Sequence, residues 1–165
     1  MYNKCEDFTN LEDLTVELGK LGQVSPLPSL NEYETYLDLN ERIIYIDFDI
    51  DDTLIEYSRR IIRWNRQDKD IPIEERKPIK VLVNSYGGSL DACLHFIDTL
   101  LLSKTPVYTY NVGVAMSAGF YIMLAGSQRF AYPNAQFLIH SGSGGAAGTY
   151  EQSKSQMEHY TRCVE

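Results

Sequence analysis

At 165 residues, 44% of them apolar, the chain fits one domain of ordinary size and is not a disordered segment. A net charge of −8 argues against nucleic acid as a partner, because an acidic surface repels phosphate backbones. No apolar run is long enough to span a bilayer, and the opening MYNKCEDFTNLEDLTVELGK lacks the apolar centre of a signal peptide, so neither a membrane anchor nor export is expected.

Residues 1–30 carry weak amphipathic signals and close on SPLPSL, where Pro26 and Pro28 mark a linker or extended arm. Most of the negative charge lies early: residues 1–57 hold 14 acidic and 3 basic side chains, a solvated and solubilising surface. RIIYIDF (42–48) is rich in β-branched and aromatic residues and predicts a strand. DIDDT supplies N-cap candidates for a helix running to about Arg66, with Leu54, Ile55, Ile61 and Ile62 on its apolar stripe. Arg59, Arg60, Arg63 and Arg66 sit toward one end of that helix, where the dipole favours cations.

After a polar loop (66–77), PIKVLVNS (78–85) predicts a short buried strand. GGSLDACLHFIDTLLLSK (87–104) opens with glycines and becomes a helix striped by Leu90, Cys93, Leu94, Ile97, Leu100 and Leu101. PVYTYNV (106–112) predicts the next strand, and a helix is predicted to open near Ala115 and run through FYIMLAG. A turn at Ser127–Gln128 and the segment RFAYPNA lead to a strand QFLIH (136–140). SGSGGAAG (141–148) reads as a loop or ribbon, and Thr149 caps a last helix with Gln152 as its capping-box partner. Alternating strands and helices imply βαβ units in an α/β fold with a mostly parallel sheet flanked by helices. Ligands of such sheets sit where strands end and helices begin. Gly87–Gly88 and Ser117 both occupy such junctions, on the same edge of the sheet.

VGVAMSAGFY (112–121) crowds small residues around Ser117. The pattern suits close packing of a helix start. The same pattern also admits a nucleophile that must take in a peptide carbonyl, with helix N–H groups beside a forming oxyanion, although local pattern alone favours the packing. Gly87–Gly88 permits a sharp bend that exposes an N–H toward a ligand. A phosphate loop is excluded there, since no Lys stands in the GK[ST] place and no G-x-G-x-x-G run is present. His140 ends an apolar strand, where a general base is both placed and mobile. His95 and His159 have the settings of ordinary hydrogen-bonded side chains. AMSAG approaches the G-x-S-x-G elbow, but no Asp or Glu lies between Ser117 and His140, so the α/β-hydrolase order of Ser, acid, His fails for this pair. Cys5, Cys93 and Cys163 are odd in number and widely spaced, with neither a disulfide framework nor zinc spacing. No metal or cofactor is expected, and a reducing, cytoplasmic setting is.

Over roughly residues 30–165 the chain resembles the ClpP serine peptidases, the proteolytic subunits of Clp proteases. ERIIYIDFDIDD, VLVNSYGGSLDA, YNVGVAMSAGFYIMLAG and RFAYPNAQFLIHSG carry the resemblance in the right order. Tyr86 stands where proline is usual, HSG replaces H-Q-P, and the interval from Ser117 to His140 is two residues short of the common form. The resemblance implies the ClpP/crotonase-like fold over 31–165, with 1–30 a divergent segment. It implies Ser117 as nucleophile, His140 as general base, and the backbone N–H groups of Gly88 and Ala118 as oxyanion hole. Gly142, Gly144 and Gly145 would pair with the backbone of an extended substrate.

The family's acid is an Asp beyond the long last helix. Glu151, Glu158 and Glu165 do not match it, and ending inside that helix suggests a trimmed piece of a longer chain. The family assembles as seven-subunit rings, usually two stacked, fed with unfolded polypeptide by an AAA+ unfoldase. A catalytically inactive ring subunit and, further off, a crotonase-type acyl-CoA enzyme are the alternatives.

Overall fold

The computed structural model describes residues 29–140 and 149–164. The arm expected over 1–30 (beyond Ser29 and Leu30) and the loop or ribbon over 141–148 lie outside the described residues. Two compact units divide the chain, Met1–Leu37 and Asp38–Glu165. Helix α1, Leu30–Glu41, begins in the first. A capping box starts it: the Ser29 N–H donates to the Glu32 carboxylate at 2.7 Å, and the Glu32 N–H donates to Ser29 Oγ at 3.3 Å. These bonds hold the Glu32 carboxyl below its ordinary pKa.

The second unit is built on a five-stranded sheet in which every pairing is parallel. Its strands are β1 (Ile43–Ile46), β2 (Ile79–Ser85), β3 (Val107–Met116), β4 (Gln128–Ala131) and β5 (Gln136–Leu138). They lie in the order β1-β2-β3-β4, and β5 also pairs with β3. The helices between and after them are α2 (Leu54–Gln67), α3 (Leu90–Leu101), α4 (Ala118–Leu124) and α5 (Tyr150–Val164). This is the expected α/β architecture.

Burial alternates along the strands. Ile44 and Ile46, Ile79, Val81 and Val83, and Val107, Thr109 and Asn111 are buried, while Tyr45, Leu82, Tyr108 and Tyr110 on the opposite face keep some exposure. β2 is therefore covered on one face rather than both. The covered face shares one core with Leu54, Ile61 and Trp64 of α2, Cys93 and Phe96 of α3, and Ile122 and Met123 of α4. Each such fully buried side chain contributes on the order of 1.5–3 kcal/mol.

Several sequence expectations shift. In α2 the buried positions are Leu54, Ser58, Ile61 and Trp64, whereas Ile55 and Ile62 are 44% and 46% exposed. One residue turns a helix by about 100°, so these two isoleucines point away from the core that Leu54 and Ile61 enter. Ser58 is tolerated inside because Thr99 Oγ1 donates to its hydroxyl. The arginines spread along α2 instead of gathering at its end, and only Arg66 lies in the last turn. In α3 the core side is Ala92, Cys93, Phe96 and Leu100, and Leu101 faces out. β3 continues to Met116, so α4 begins at Ala118, three residues later than predicted. QRFA forms β4 where a turn and loop were expected.

A largely buried ion pair ties together three chain junctions, before β1, after α2 and before β3. Arg42, itself at φ 56°, places its guanidinium 2.5 and 2.7 Å from the two carboxylate oxygens of Asp68, and Thr105 Oγ1 donates to Asp68 at 2.7 Å. The guanidinium, then the threonine bond, holds the Asp68 carboxyl below its ordinary pKa despite burial. Thr149 and Gln152 close the expected capping box on α5, with the Thr149 N–H donating to Gln152 Oε1 at 2.9 Å.

Candidate active site

β2 ends at Ser85, and the chain must bend sharply to start α3. Gly87 at φ 111° and Gly88 at φ 147° make the bend, in conformations that side-chain-bearing residues rarely adopt. The backbone of Ile50 clamps it: the Ile50 N–H donates to Gly87 O at 2.8 Å, and the Ser89 N–H donates to Ile50 O at 2.7 Å. In a parallel pairing of this kind the bonds come from the residues flanking Gly88, so the N–H of Gly88 itself points away from Ile50. Ser85 braces the bend from inside, donating its hydroxyl to Phe48 O at 2.6 Å and accepting the Gly87 N–H at 3.2 Å.

Ser117 forms the junction between β3 and α4. Its backbone is at φ 51°, ψ −121°, a sparsely populated region that costs of order 1–3 kcal/mol. The surroundings enforce it: the Ser117 N–H donates to Leu138 O at 2.9 Å, and Ser117 O accepts from the Phe120 N–H at 3.0 Å. The resulting sharp turn presents the hydroxyl at the sheet edge, half-buried.

His140 follows β5, whose residues 136–138 pair with Val114–Met116 at the end of β3. That pairing carries the exposed imidazole to the serine: His140 Nε2 lies 2.9 Å from Ser117 Oγ. With Nδ1 protonated, Nε2 accepts the hydroxyl proton. A Cβ built on Gly87 would stand 2.7 Å from Ser117 Cβ and 3.2 Å from the Ala118 nitrogen, so the diglycine bend, the hydroxyl and the Ala118 amide share one small region. Ser117, His140, Gly88 and Ala118 are thus gathered at one edge. Gly142, Gly144 and Gly145 lie outside the described residues.

Below the site the Cys93 thiol donates to Ala118 O at 3.2 Å, and burial pushes its pKa up to about 12. His159 lies 3.0 Å from Asp91 Oδ1, and His95 is exposed on α3. Among the described residues no cluster of three His, Cys, Asp or Glu side chains is placed to hold a metal ion, and no helix is long and apolar enough to cross a membrane.

Two asparagines escaped the sequence reading. Between Val83↔Asn111 and Ser85↔Ala115 the register shifts, so β3 carries two more residues than β2 over the same rise. Asn84 Oδ1 accepts the Val114 N–H at 3.1 Å, and Asn111 Oδ1 accepts the Gly113 N–H at 3.1 Å. The signal available in the sequence was a polar residue inside each of two apolar runs, VLVNS and YTYNVGVAM.

The fold is a parallel α/β sheet of the ClpP/crotonase-like class, with a serine and an imidazole in contact beside a glycine bend. Residues 30–165 match the family model described as Clp protease. Among curated relatives, the ATP-dependent Clp protease proteolytic subunit 2 of Mycolicibacterium paratuberculosis is 30% identical over 141 residues, covering 82% of this chain and 68% of the relative. Proteolytic subunit 3 of Streptomyces avermitilis is 35% identical over 122 residues, covering 73% of this chain and 53% of the relative. A solved structure of a ClpP1 variant from Listeria monocytogenes superposes with a TM-score of 0.64 at 24% identity, covering 80% of this chain and 71% of that one, a likeness of fold. The chain belongs to the Clp protease family. It spans between 53% and 68% of the length of those two curated relatives.

Proposed function

We propose that this chain is a serine endopeptidase subunit of a Clp-type protease. The observation that carries the reading is the 2.9 Å separation between Ser117 Oγ and His140 Nε2, at a strand-to-helix turn beside a diglycine bend. As a peptide carbonyl settles at the site, His140 accepts the Ser117 proton while Oγ attacks the carbonyl carbon. The negative charge that moves to the carbonyl oxygen is met by the N–H groups of Gly88 and Ala118. His140 then returns the proton to the leaving amine, and water releases the acyl group by the same steps in reverse. Loss of one oxyanion donor commonly costs about a hundredfold or more in rate. A crotonase-type reaction relies on polarising a thioester, usually without a serine–imidazole pair, so the contact favours the peptidase reading.

By resemblance to the family, Gly142, Gly144 and Gly145 would pair with the backbone of an extended substrate, giving affinity with little side-chain selectivity. Family membership supports assembly into seven-subunit rings, usually stacked in pairs, and supply of unfolded polypeptide by an AAA+ ATPase in the cytoplasm. The test is covalent labelling by a fluorophosphonate. Labelling of the intact, assembled protein that maps to Ser117 and disappears in Ser117→Ala is the expected result. An assembled protein that resists labelling overturns the reading.

A further inference from the structure

The geometry points to Asn111 as a positioning residue for the Ser117–His140 pair. This rests on the peptidase reading above and adds a residue to it. Asn111 is fully buried, at 0% exposure, in the middle of a sheet, a place where an amide side chain is costly unless all its groups are bonded. Its bonds account for its presence. Oδ1 accepts the Gly113 N–H at 3.1 Å, Nδ2 donates to Gln136 O at 2.8 Å, and the backbone carbonyl accepts the Tyr132 N–H at 2.9 Å.

These contacts fall at the point where β3 changes partners. Up to Asn111 the strand pairs with β4, ending at Asn111↔Ala131; from Val114 it pairs with β5, starting at Val114↔Gln136. Residues 112 and 113 bulge between the two pairings. One amide side chain thus holds two features. Through Gly113 it fixes the bulge that advances β3 by two residues and sets Ala115 opposite Ser85, which places Ser117 against the diglycine bend. Through Gln136 it fixes the first residue of β5, the strand that delivers His140 four positions later. The hydroxyl and the imidazole are therefore referenced to a common point that touches neither of them. Asn84 supports the bulge alone, because its acceptor serves Val114 and it makes no bond to β5.

The experiment uses the full chain with two variants and two readouts. Asn111→Val keeps a strand-forming side chain of similar size and removes both side-chain bonds. Asn111→Asp keeps the acceptor for Gly113 and turns a second acceptor toward Gln136 O. The first readout is the rate of Ser117 labelling by a fluorophosphonate. The second is the nuclear magnetic resonance signal of each histidine ring, with His140 assigned through His140→Gln.

Labelling is expected to slow by about tenfold to a hundredfold in each folded variant, as a misplacement of about 1 Å can do. The His140 ring signals are expected to shift, while those of His95 and His159 stay in place. A purely structural role would move all three rings together or none. A folded variant whose His140 signals and labelling rate match the parent overturns the assignment. If Asn111→Val does not fold, Asn111→Asp is judged by the same criteria. If the parent itself resists labelling, the peptidase reading fails and the histidine signals alone decide the positioning role: movement of His140 alone supports it, and unchanged signals overturn it.

Discussion

A methyl group on Gly87 would stand 2.7 Å from the Cβ of Ser117, with the Met116 carbonyl oxygen 2.9 Å away on the same side. The gap between the candidate nucleophile and the bend that faces it leaves no room for any side chain at position 87. Ser117 cannot retreat, because its own N–H and C=O are both committed.

Gly87→Ala therefore meets two penalties, the crowding and a φ of 111° that alanine resists. A loss of about 2–4 kcal/mol in unfolding free energy is expected, read from urea denaturation. Labelling of Ser117 by a fluorophosphonate should fall with it even in the folded fraction. Stability equal to the parent would show that the bend gives way more easily than its contacts indicate.

Ser117→Gly separates strain from chemistry. Glycine relaxes at φ 51° but brings extra freedom to the unfolded chain, so a net gain of about 1 kcal/mol is expected. Ser117→Ala keeps the strained conformation and should show no such gain. Both variants lose the hydroxyl and with it all labelling. Denaturation curves for the two, side by side, measure the strain held at the turn.

Asp68 makes the fold acid-sensitive. Its carboxyl pKa is lower in the folded protein than in the unfolded chain, chiefly because of the Arg42 guanidinium. Its contribution is therefore present above the unfolded value, about 3.8, and is lost as pH falls through the lower folded value. Asp68→Ala leaves the largely buried Arg42 guanidinium without its counterion and is expected to cost about 3 kcal/mol near neutral pH. Unfolding curves from pH 7 downward should show the parent converging on the variant at the acid end.

Cys93 should be chemically silent while the fold is intact. Its thiol is buried and its pKa is pushed up to about 12, so almost no thiolate exists at pH 8. Alkylation by iodoacetamide is expected to be at least about a hundredfold slower at Cys93 in the native protein than in urea. Mass spectrometry of the peptide containing Cys93 gives the answer directly.

Much of this architecture was readable from side-chain patterns. Strands β1 and β2 declared themselves through β-branched residues, and the capping box of α5 through Thr149 and Gln152. Strand β4 did not, because all four of its residues are exposed and no alternation marks them. It exists because the backbone of Tyr108–Asn111 offers a free edge, with Phe130 stacked on Tyr110 at 4.6 Å. The start of α4 was misplaced because the run of small residues from Val112 suits either structure. What decides is tertiary: β5 pairs with Val114–Met116 and keeps them extended. Ser117, Gly88 and His140 were visible as polar or special residues at junctions. Asn111 was not singled out, since its importance depends on which strand lies beside it.

The anchoring of β5 on the last residues of β3 has an evolutionary reading. Ser117 and His140 are 23 positions apart along the chain, yet their contact depends on only a few of those positions, the ones that set pairing. Insertions or deletions in the stretch between α4 and β5 can accumulate without prising the two side chains apart. Distant relatives are better sought by a flexible gap bounded by the two short motifs than by a fixed count of residues between them.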